Sequence, residues 1–102
     1  MSIKIGRDSM LASRIVVRTS DSHGIYNLSD GKRINLPKPV IIGDHVWLAP
    51  DSIVLKGVTI GKGCVIGSNS IVTKSVPDNC LAVGLPAKVV RENIRWTREI
   101  RR

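Results

Sequence analysis

The chain has 102 residues, a length that suits one small domain. Aromatic residues make up only 3% of it and Phe is absent, so the core must consist of Ile, Val and Leu, which favours many short strands over a large layered core. The formal net charge of +8 attracts polyanions, but the scarcity of base-stacking aromatics and the lack of a nucleic-acid-binding motif argue against nucleic acid. A phosphorylated small molecule accounts for the charge equally well, and so does a solvated tail.

The first predicted element is a coil over residues 5–22. Ile5, Leu11 and Val17 follow one another at intervals of six residues. This spacing matches neither the helix period nor a simple strand alternation. It fits a short strand followed by a tight turn, repeated.

A loop is predicted over residues 23–41, where the six-residue pattern stops. Its turn-forming residues are Gly24, Asn27, Asp30, Gly31, Asn35, Pro37 and Pro39. We expect this segment to leave the coil and to return near Val40.

The repeat is clearest over residues 42–77, where two further coils are predicted. An aliphatic residue occupies every sixth position: Ile42, Leu48, Val54, Ile60, Ile66 and Val72. Mostly small residues, such as Gly43, come directly after them. The segments 41–58 and 59–76 also match each other, so three hexads form one coil of a triangular solenoid, with coils stacked about 4.8 Å apart through parallel strands. The predicted fold class is therefore all-β, a parallel β-helix of about three coils.

Residues 78–102 are predicted to cap the C-terminal end of this solenoid, because terminal repeats need a cover. The segment opens with a turn, and residues 81–90 have an extended, apolar pattern. Residues 91–102 favour a short basic helix with Trp96 and Ile100 on one face.

Several classes of site and location are disfavoured by the sequence. Cys64 and Cys80 lack metal-ligand spacing, so no metal site is expected, and Cys64 is interpreted as a small thiol in the core. No apolar run is long enough to cross a membrane, and the first residues lack the apolar centre of a signal peptide. We therefore expect a cytoplasmic protein without a membrane partner.

Three motifs accompany the hexads: the loop beginning Ser20-Asp21-Ser22-His23, the stretch from Ile42 to Leu48, and the ending Gly84-Leu85-Pro86-Ala87-Lys88. Together they resemble the hexapeptide-repeat acetyltransferases, in particular the branch with the galactoside, maltose and capsular-sugar O-acetyltransferases. The resemblance implies a left-handed β-helix and a homotrimer, with acetyl-CoA as the acetyl donor in a groove between subunits. It also implies transfer to a hydroxyl of a saccharide-like small-molecule acceptor. A serine or xenobiotic O-acetyltransferase and a non-catalytic β-helix trimer stay open as alternatives.

The resemblance places the general base at His23. A sugar hydroxyl is a poor nucleophile at neutral pH, and histidine titrates in the range needed to remove its proton. Such a base typically contributes about 10²- to 10⁴-fold to the rate. His45 lies in the middle of a hexad and is interpreted as structural. The resemblance also places Trp47 near the acceptor site, where we expect it to pack either against substrate or between subunits.

The resemblance carries CoA binding onto Ser68, Thr73 and Lys74 in the last coil and onto Lys88 and Arg91 in the C-terminal segment. Cations suit the phosphates of CoA. A solvated side chain is the alternative for each of these cations, and it is weaker for Lys88, which lies inside the motif, than for Arg98 or Arg102. The chain departs from the family pattern at Leu85, which replaces an asparagine, and at Pro50, which has no N–H to donate near the thioester.

The N-terminal part of the family pattern is missing, since four residues precede the first recognisable coil. We therefore expect the catalytic and CoA-binding half of a larger enzyme, whether as a natural minimal form or as a fragment. Its N-terminal strand edge is expected to pack on a second trimer, so that two trimers stack, or to fray through about residue 10.

Overall fold

The computed structural model describes residues 2–100, and its short strands wind into a solenoid without any helix in that range. The strands are β1 (Ile3–Ile5), β2 (Met10–Leu11), β3 (Val16–Val17), β4 (Val40–Ile42), β5 (Trp47–Leu48), β6 (Ile53–Val54), β7 (Thr59–Ile60), β8 (Val65–Ile66), β9 (Ile71–Val72), β10 (Leu81–Gly84) and β11 (Ala87–Arg91). They form three sheets, in the orders β1-β4-β7, β2-β5-β8-β10-β11 and β3-β6-β9. All pairings are parallel except the hairpin of β10 and β11. The predicted parallel β-helix is therefore confirmed.

The pairing register reproduces the period of the sequence. Ile42 pairs with Ile60, 18 positions later. Ile5 pairs with Ile42, which is 37 positions later. This spacing exceeds one coil of 18 residues by 19 residues. Those additional residues form an excursion out of the solenoid, and the hexad phase is the same before and after it.

The core is a column of aliphatic side chains inside the three sheets. The inward residue of each hexad from β4 onward is almost completely buried, as are the small or β-branched residues four places on: Ile42, Val46, Leu48, Ser52, Val54, Val58, Ile60, Cys64, Ile66, Ser70 and Val72. Ser52 avoids an unsatisfied hydroxyl because its Oγ donates to the Ala49 carbonyl at 2.8 Å. Cys64 is the predicted core thiol, and burial raises its pKa.

Most corners of the coils have a residue with positive φ. These residues recur at six-residue intervals within the coils: Asp8, Arg14, His45, Asp51, Gly57, Gly63 and Asn69. Gly, Asn, Asp and His tolerate this left-handed conformation better than other residues. The corresponding positions at Ser20 and Ser75 are not left-handed. The chain leaves the regular coil at both places, first into the excursion and then into the C-terminal cap.

The C-terminal segment differs from its prediction in one respect. Residues 81–91 are extended as expected, because β10 stacks on β8 and turns back as β11. The helix predicted over 91–102 is wrong as far as residue 100, and residues 101 and 102 lie outside the described range. The segment bonds to the solenoid, because the Ile94 N–H donates to the Asn79 carbonyl at 3.0 Å.

The spacing between coils leaves no room for a side chain at the corner occupied by Gly61. A Cβ on Gly61 would lie 2.5 Å from the backbone N of Asp78, and Gly61 cannot retreat without losing its 2.9 Å hydrogen bond to the Val76 carbonyl. We expect Gly61→Ala to lower the free energy of unfolding by about 1–3 kcal/mol through overpacking. Denaturant titration measures this loss. Lys62→Ala, on the exposed neighbour, is the control and should stay within about 0.5 kcal/mol of the wild type; equal stability of both variants would contradict the packing argument.

Candidate functional site

His23 lies in the excursion between β3 and β4, and its side chain is exposed. Its ring has no hydrogen-bond partner among residues 2–100, whereas its backbone carbonyl accepts from Asn35 Nδ2 at 2.7 Å. Within the described chain the imidazole is therefore unpaired, while the main chain that carries it is held in place.

The excursion folds on itself as a small hairpin-like unit. Tyr26 and Arg33 form an antiparallel bridge. The Ile34 N–H donates to the Ile25 carbonyl at 2.8 Å, and the Asn27 N–H donates to Lys32 at the same distance. The predicted loop thus has internal order that its turn-rich composition did not reveal.

Trp47 lies on the outer face of β5, since its neighbour Leu48 is fully buried in the core. The two predicted surroundings of Trp47 were a substrate or another subunit. Within the chain, Trp47 has a third neighbour, because the ring of Trp96 lies 6.0 Å from its ring and is tilted by 44°. One flank of Trp47 is therefore formed by the C-terminal segment.

Four residues form what we call the tail clasp: Asp8, His45, Trp96 and Arg98. The Trp96 and His45 rings stack at 3.9 Å, and the Trp96 indole N–H donates to the His45 carbonyl at 2.7 Å. Arg98 pairs with Asp8 and lies 5.3 Å above the Trp96 ring. Arg98 is thus partly exposed but also paired, because this cation joins the C-terminal segment to the first coil. Arg102 lies outside the described residues.

Both ring nitrogens of His45 face acceptors. Nε2 lies 3.0 Å from the Trp96 carbonyl, and Nδ1 lies 2.6 Å from Asp8 Oδ2. A neutral imidazole donates from one nitrogen only, so the charged form alone satisfies both contacts. The Trp96 carbonyl and then the Asp8 carboxylate raise the pKa of His45, while the hydrogen bond from His45 and then the Arg98 guanidinium lower that of Asp8. The structure places His45 in this structural role.

The five residues predicted to bind CoA lie toward the C-terminal end of the solenoid. Ser68 lies in the turn after β8, Thr73 and Lys74 follow β9, and Lys88 and Arg91 belong to β11. All five are exposed. The hairpin of β10 and β11 is fixed to the last full coil because the Gly84 N–H donates to Ser70 Oγ at 3.0 Å. The motif around Lys88 is thus anchored next to the coil that carries the other three.

Metal-binding clusters and membrane-spanning helices are absent from the part of the chain that the structure describes. Residues 2–100 contain no group of three His, Cys, Asp or Glu side chains that could hold a metal ion. Nor does any helix in that range have the length and hydropathy to cross a membrane.

Comparison with known proteins gives consistent matches. Residues 39–74 match the bacterial transferase hexapeptide family, which is described by six repeats. The chain is 45% identical over 97 residues to a polysialic acid O-acetyltransferase of Escherichia coli O1:K1 / APEC, covering 95% of this chain and 32% of the relative. It is 48% identical over 99 residues to a polysialic acid O-acetyltransferase of Neisseria meningitidis, covering 96% and 46%. The crystal structure of a polySia-specific acetyltransferase superposes with a TM-score of 0.94 at 45% identity, covering 95% and 45%.

These matches confirm the predicted resemblance to the hexapeptide-repeat acetyltransferases. A solenoid of opposite hand would not superpose so closely, so the coils have the left-handed winding of that family. The chain spans about a third to a half of the length of these relatives.

The tail clasp generates a pH prediction. The raised pKa of His45 means that its contribution to stability is present below its unfolded pKa of about 6.5 and is lost as pH rises through the folded pKa. The lowered pKa of Asp8 means that its contribution is present above about pH 3.9 and is lost as pH falls through the folded pKa. We therefore expect the clasp to be strongest between about pH 4 and 6.5.

NMR titration of the imidazoles measures this effect. Asp8→Asn should lower the pKa of His45, and the Trp96 indole N–H should exchange faster above that pKa, after normalisation to Trp47. Asp30→Asn, in the excursion, is the control. A His45 pKa that is the same in both variants would show that the clasp does not hold the charge.

Proposed function

Because the chain is related to the hexapeptide-repeat acetyltransferases, we propose that it transfers an acetyl group from acetyl-CoA to a hydroxyl of a saccharide acceptor. The observation that carries this proposal is the position of His23: an exposed imidazole without a ring partner in the described chain, on a backbone fixed by hydrogen bonds. Relatives that share 45% and 48% identity are polysialic acid O-acetyltransferases, which supports a saccharide hydroxyl as the acceptor.

In this mechanism His23 acts as the general base. Its neutral imidazole takes the proton of the acceptor hydroxyl while the oxygen attacks the thioester carbonyl. The new C–O bond forms, the C–S bond breaks, and the proton passes from His23 to the departing CoA thiolate. Trp47 would form a wall of the acceptor site, with Trp96 supporting its ring from behind.

The cations of the C-terminal half would hold CoA. Lys74, Lys88 and Arg91 are exposed, and phosphate oxygens are strong acceptors for such donors. The hydroxyls of Ser68 and Thr73 add neutral donors on the same coil. We place acetyl-CoA between neighbouring subunits of a homotrimer, in keeping with the family resemblance.

The net charge suggests what kind of saccharide is accepted. At +8 the protein attracts anionic polymers, and the field falls off with added salt. We therefore favour an acidic saccharide over a neutral one.

The test of this function is release of CoA thiol from acetyl-CoA by the purified protein, with polysialic acid and a neutral saccharide as acceptors. His23→Ala should reduce turnover at least about 100-fold, because the base is lost, and should leave CoA affinity unchanged. Lys32→Ala, in the same excursion, is the control. If thiol release requires neither acceptor nor His23, the chain is a non-catalytic β-helix, and if serine or a xenobiotic serves best, the acceptor assignment is wrong.

Charge reversal tests the CoA site. Lys88→Glu and Arg91→Glu should each weaken CoA binding and make it less dependent on salt, since screened contacts to phosphate are removed. Calorimetry at two salt concentrations measures both effects. Lys4→Glu, on β1, changes the net charge by the same amount far along the solenoid and is the control. If all three variants bind CoA with equal affinity, Lys88 and Arg91 do not contact CoA and are ordinary surface charges.

A further inference from the structure

Asn35 is the one buried residue of the segment 18–39, every residue of which is described. It is 6% exposed, whereas residues 21–32 are all exposed. Burying an amide is costly unless its polar atoms are hydrogen-bonded. A buried amide inside an otherwise exposed excursion therefore indicates a specific set of contacts.

Those contacts use the full hydrogen-bonding capacity of the amide. Nδ2 donates to the His23 carbonyl at 2.7 Å and to Asp21 Oδ2 at 2.9 Å. Oδ1 accepts from the Ile25 N–H at 2.6 Å and from Arg33 Nε at 3.1 Å. An amide has two N–H donors and two acceptor lone pairs, so no capacity is left over. The orientation is unambiguous, because a flipped amide would place donors against donors and acceptors against acceptors.

The backbone that Asn35 holds has an uncommon conformation. Ser22, directly before His23, has φ of 70°, a left-handed value that non-glycine residues adopt at a cost and keep only where the surroundings enforce it. Its N–H donates to Ser20 Oγ at 3.0 Å. The contacts of Asn35 bracket this turn, at the side chain of residue 21, the carbonyl of residue 23 and the N–H of residue 25.

A second contact ties this unit to the solenoid. Lys56 Nζ, in the turn after β6, lies 2.7 Å from Asp21 Oδ2, the same oxygen that Asn35 bonds. The hydrogen bond from Lys56 and then that from Asn35 lower the pKa of Asp21, so the carboxylate is charged and strengthens both contacts. The chain of contacts runs from the second coil through Asp21 and Asn35 to the main chain of His23.

We propose that Asn35 is a positioning residue for the acetyl transfer, holding the main chain on both sides of His23 so that the imidazole stands in one place relative to the solenoid. This inference rests on the proposed function, in which His23 is the base. Since a group displaced by about 1 Å can cost about 100-fold in rate, the loss of this amide is expected to reduce turnover without touching CoA.

The test compares Asn35→Asp with Asn27→Asp, the same substitution at an exposed site of the same excursion. Asn35→Asp keeps the shape and the acceptors but loses both donations and places a second carboxylate against Asp21. We expect kcat to fall about 10- to 100-fold with KM for acetyl-CoA unchanged, while Asn27→Asp retains the wild-type kcat. A kcat equal to that of the control would overturn the proposal.

A double variant separates positioning from general structural damage. If Asn35 acts through His23, adding Asn35→Asp to His23→Ala should not reduce the residual rate further. A further reduction of similar size in that background would show that Asn35 acts by another route. Asn35→Ala, which introduces no charge, should give the same pattern and serves as the second variant if the aspartate disrupts the fold.

A readout that needs no acceptor keeps this inference apart from the proposed function. Hydrogen exchange at the Ile25 N–H and the backbone order of residues 22–25 directly report the hydrogen bonds of Asn35, which we call the Asn35 clamp. The backbone order should be lost in Asn35→Asp and Asn35→Ala, because both remove the two donations of the amide. Protection of the Ile25 N–H should be lost in Asn35→Ala, which also removes its acceptor. Both readouts should be kept in Asn27→Asp. Order kept in every variant would refute the role of Asn35, whatever the acceptor. If the order is lost in the Asn35 variants but the wild-type protein has no acetyltransferase activity, the role of Asn35 in ordering the backbone is supported and the proposed function is refuted.

Discussion

The register between coils is the constraint on which the rest of the structure depends. Ile42 must lie over Ile60, and Val54 over Val72, so that parallel hydrogen bonds and the aliphatic column form together. A slip of one residue would turn the column outward, because neighbouring residues of a strand point to opposite faces. The glycine at position 61 belongs to the same constraint, since any side chain there would collide with the next coil.

This strict register explains how the protein carries irregular segments without losing its core. The excursion between β3 and β4 adds 19 residues to the spacing of Ile5 and Ile42, yet both are in phase with the hexads. The cost of closing a longer loop grows slowly with its length. Departures begin where a corner lacks the left-handed residue, at Ser20 and Ser75. The candidate residues His23, Lys88 and Arg91 lie in these departures, whereas Trp47, Ser68, Thr73 and Lys74 lie on the coils.

Two polar clusters connect the irregular segments to that frame. The tail clasp links the C-terminal segment to the first two coils through Asp8 and His45, and its Trp96 supports Trp47. The contacts of Asn35 link the main chain at His23 to the second coil through Asp21 and Lys56. Each cluster joins residues far apart in sequence and so fixes an irregular segment to the coils. The candidate acceptor-site residue Trp47 and the candidate base His23 are thus held by different parts of the chain.

The solenoid could be predicted from the amino-acid sequence, because aliphatic residues at every sixth position indicate a coil of short strands and each hexad repeats the same pattern. The sequence also pointed to His23, Trp47 and the cations of the C-terminal half through motifs, whose roles stay predictions. It misplaced the helix after residue 91, since the spacing of Trp96 and Ile100 describes a helix face without showing that Trp96 bonds to His45. It gave no sign of Asn35, which resembles any turn-forming asparagine. These points depend on the tertiary structure. A single contact between two distant residues produces no repeating pattern in the sequence, whereas the packing of the coils requires an aliphatic residue at every sixth position.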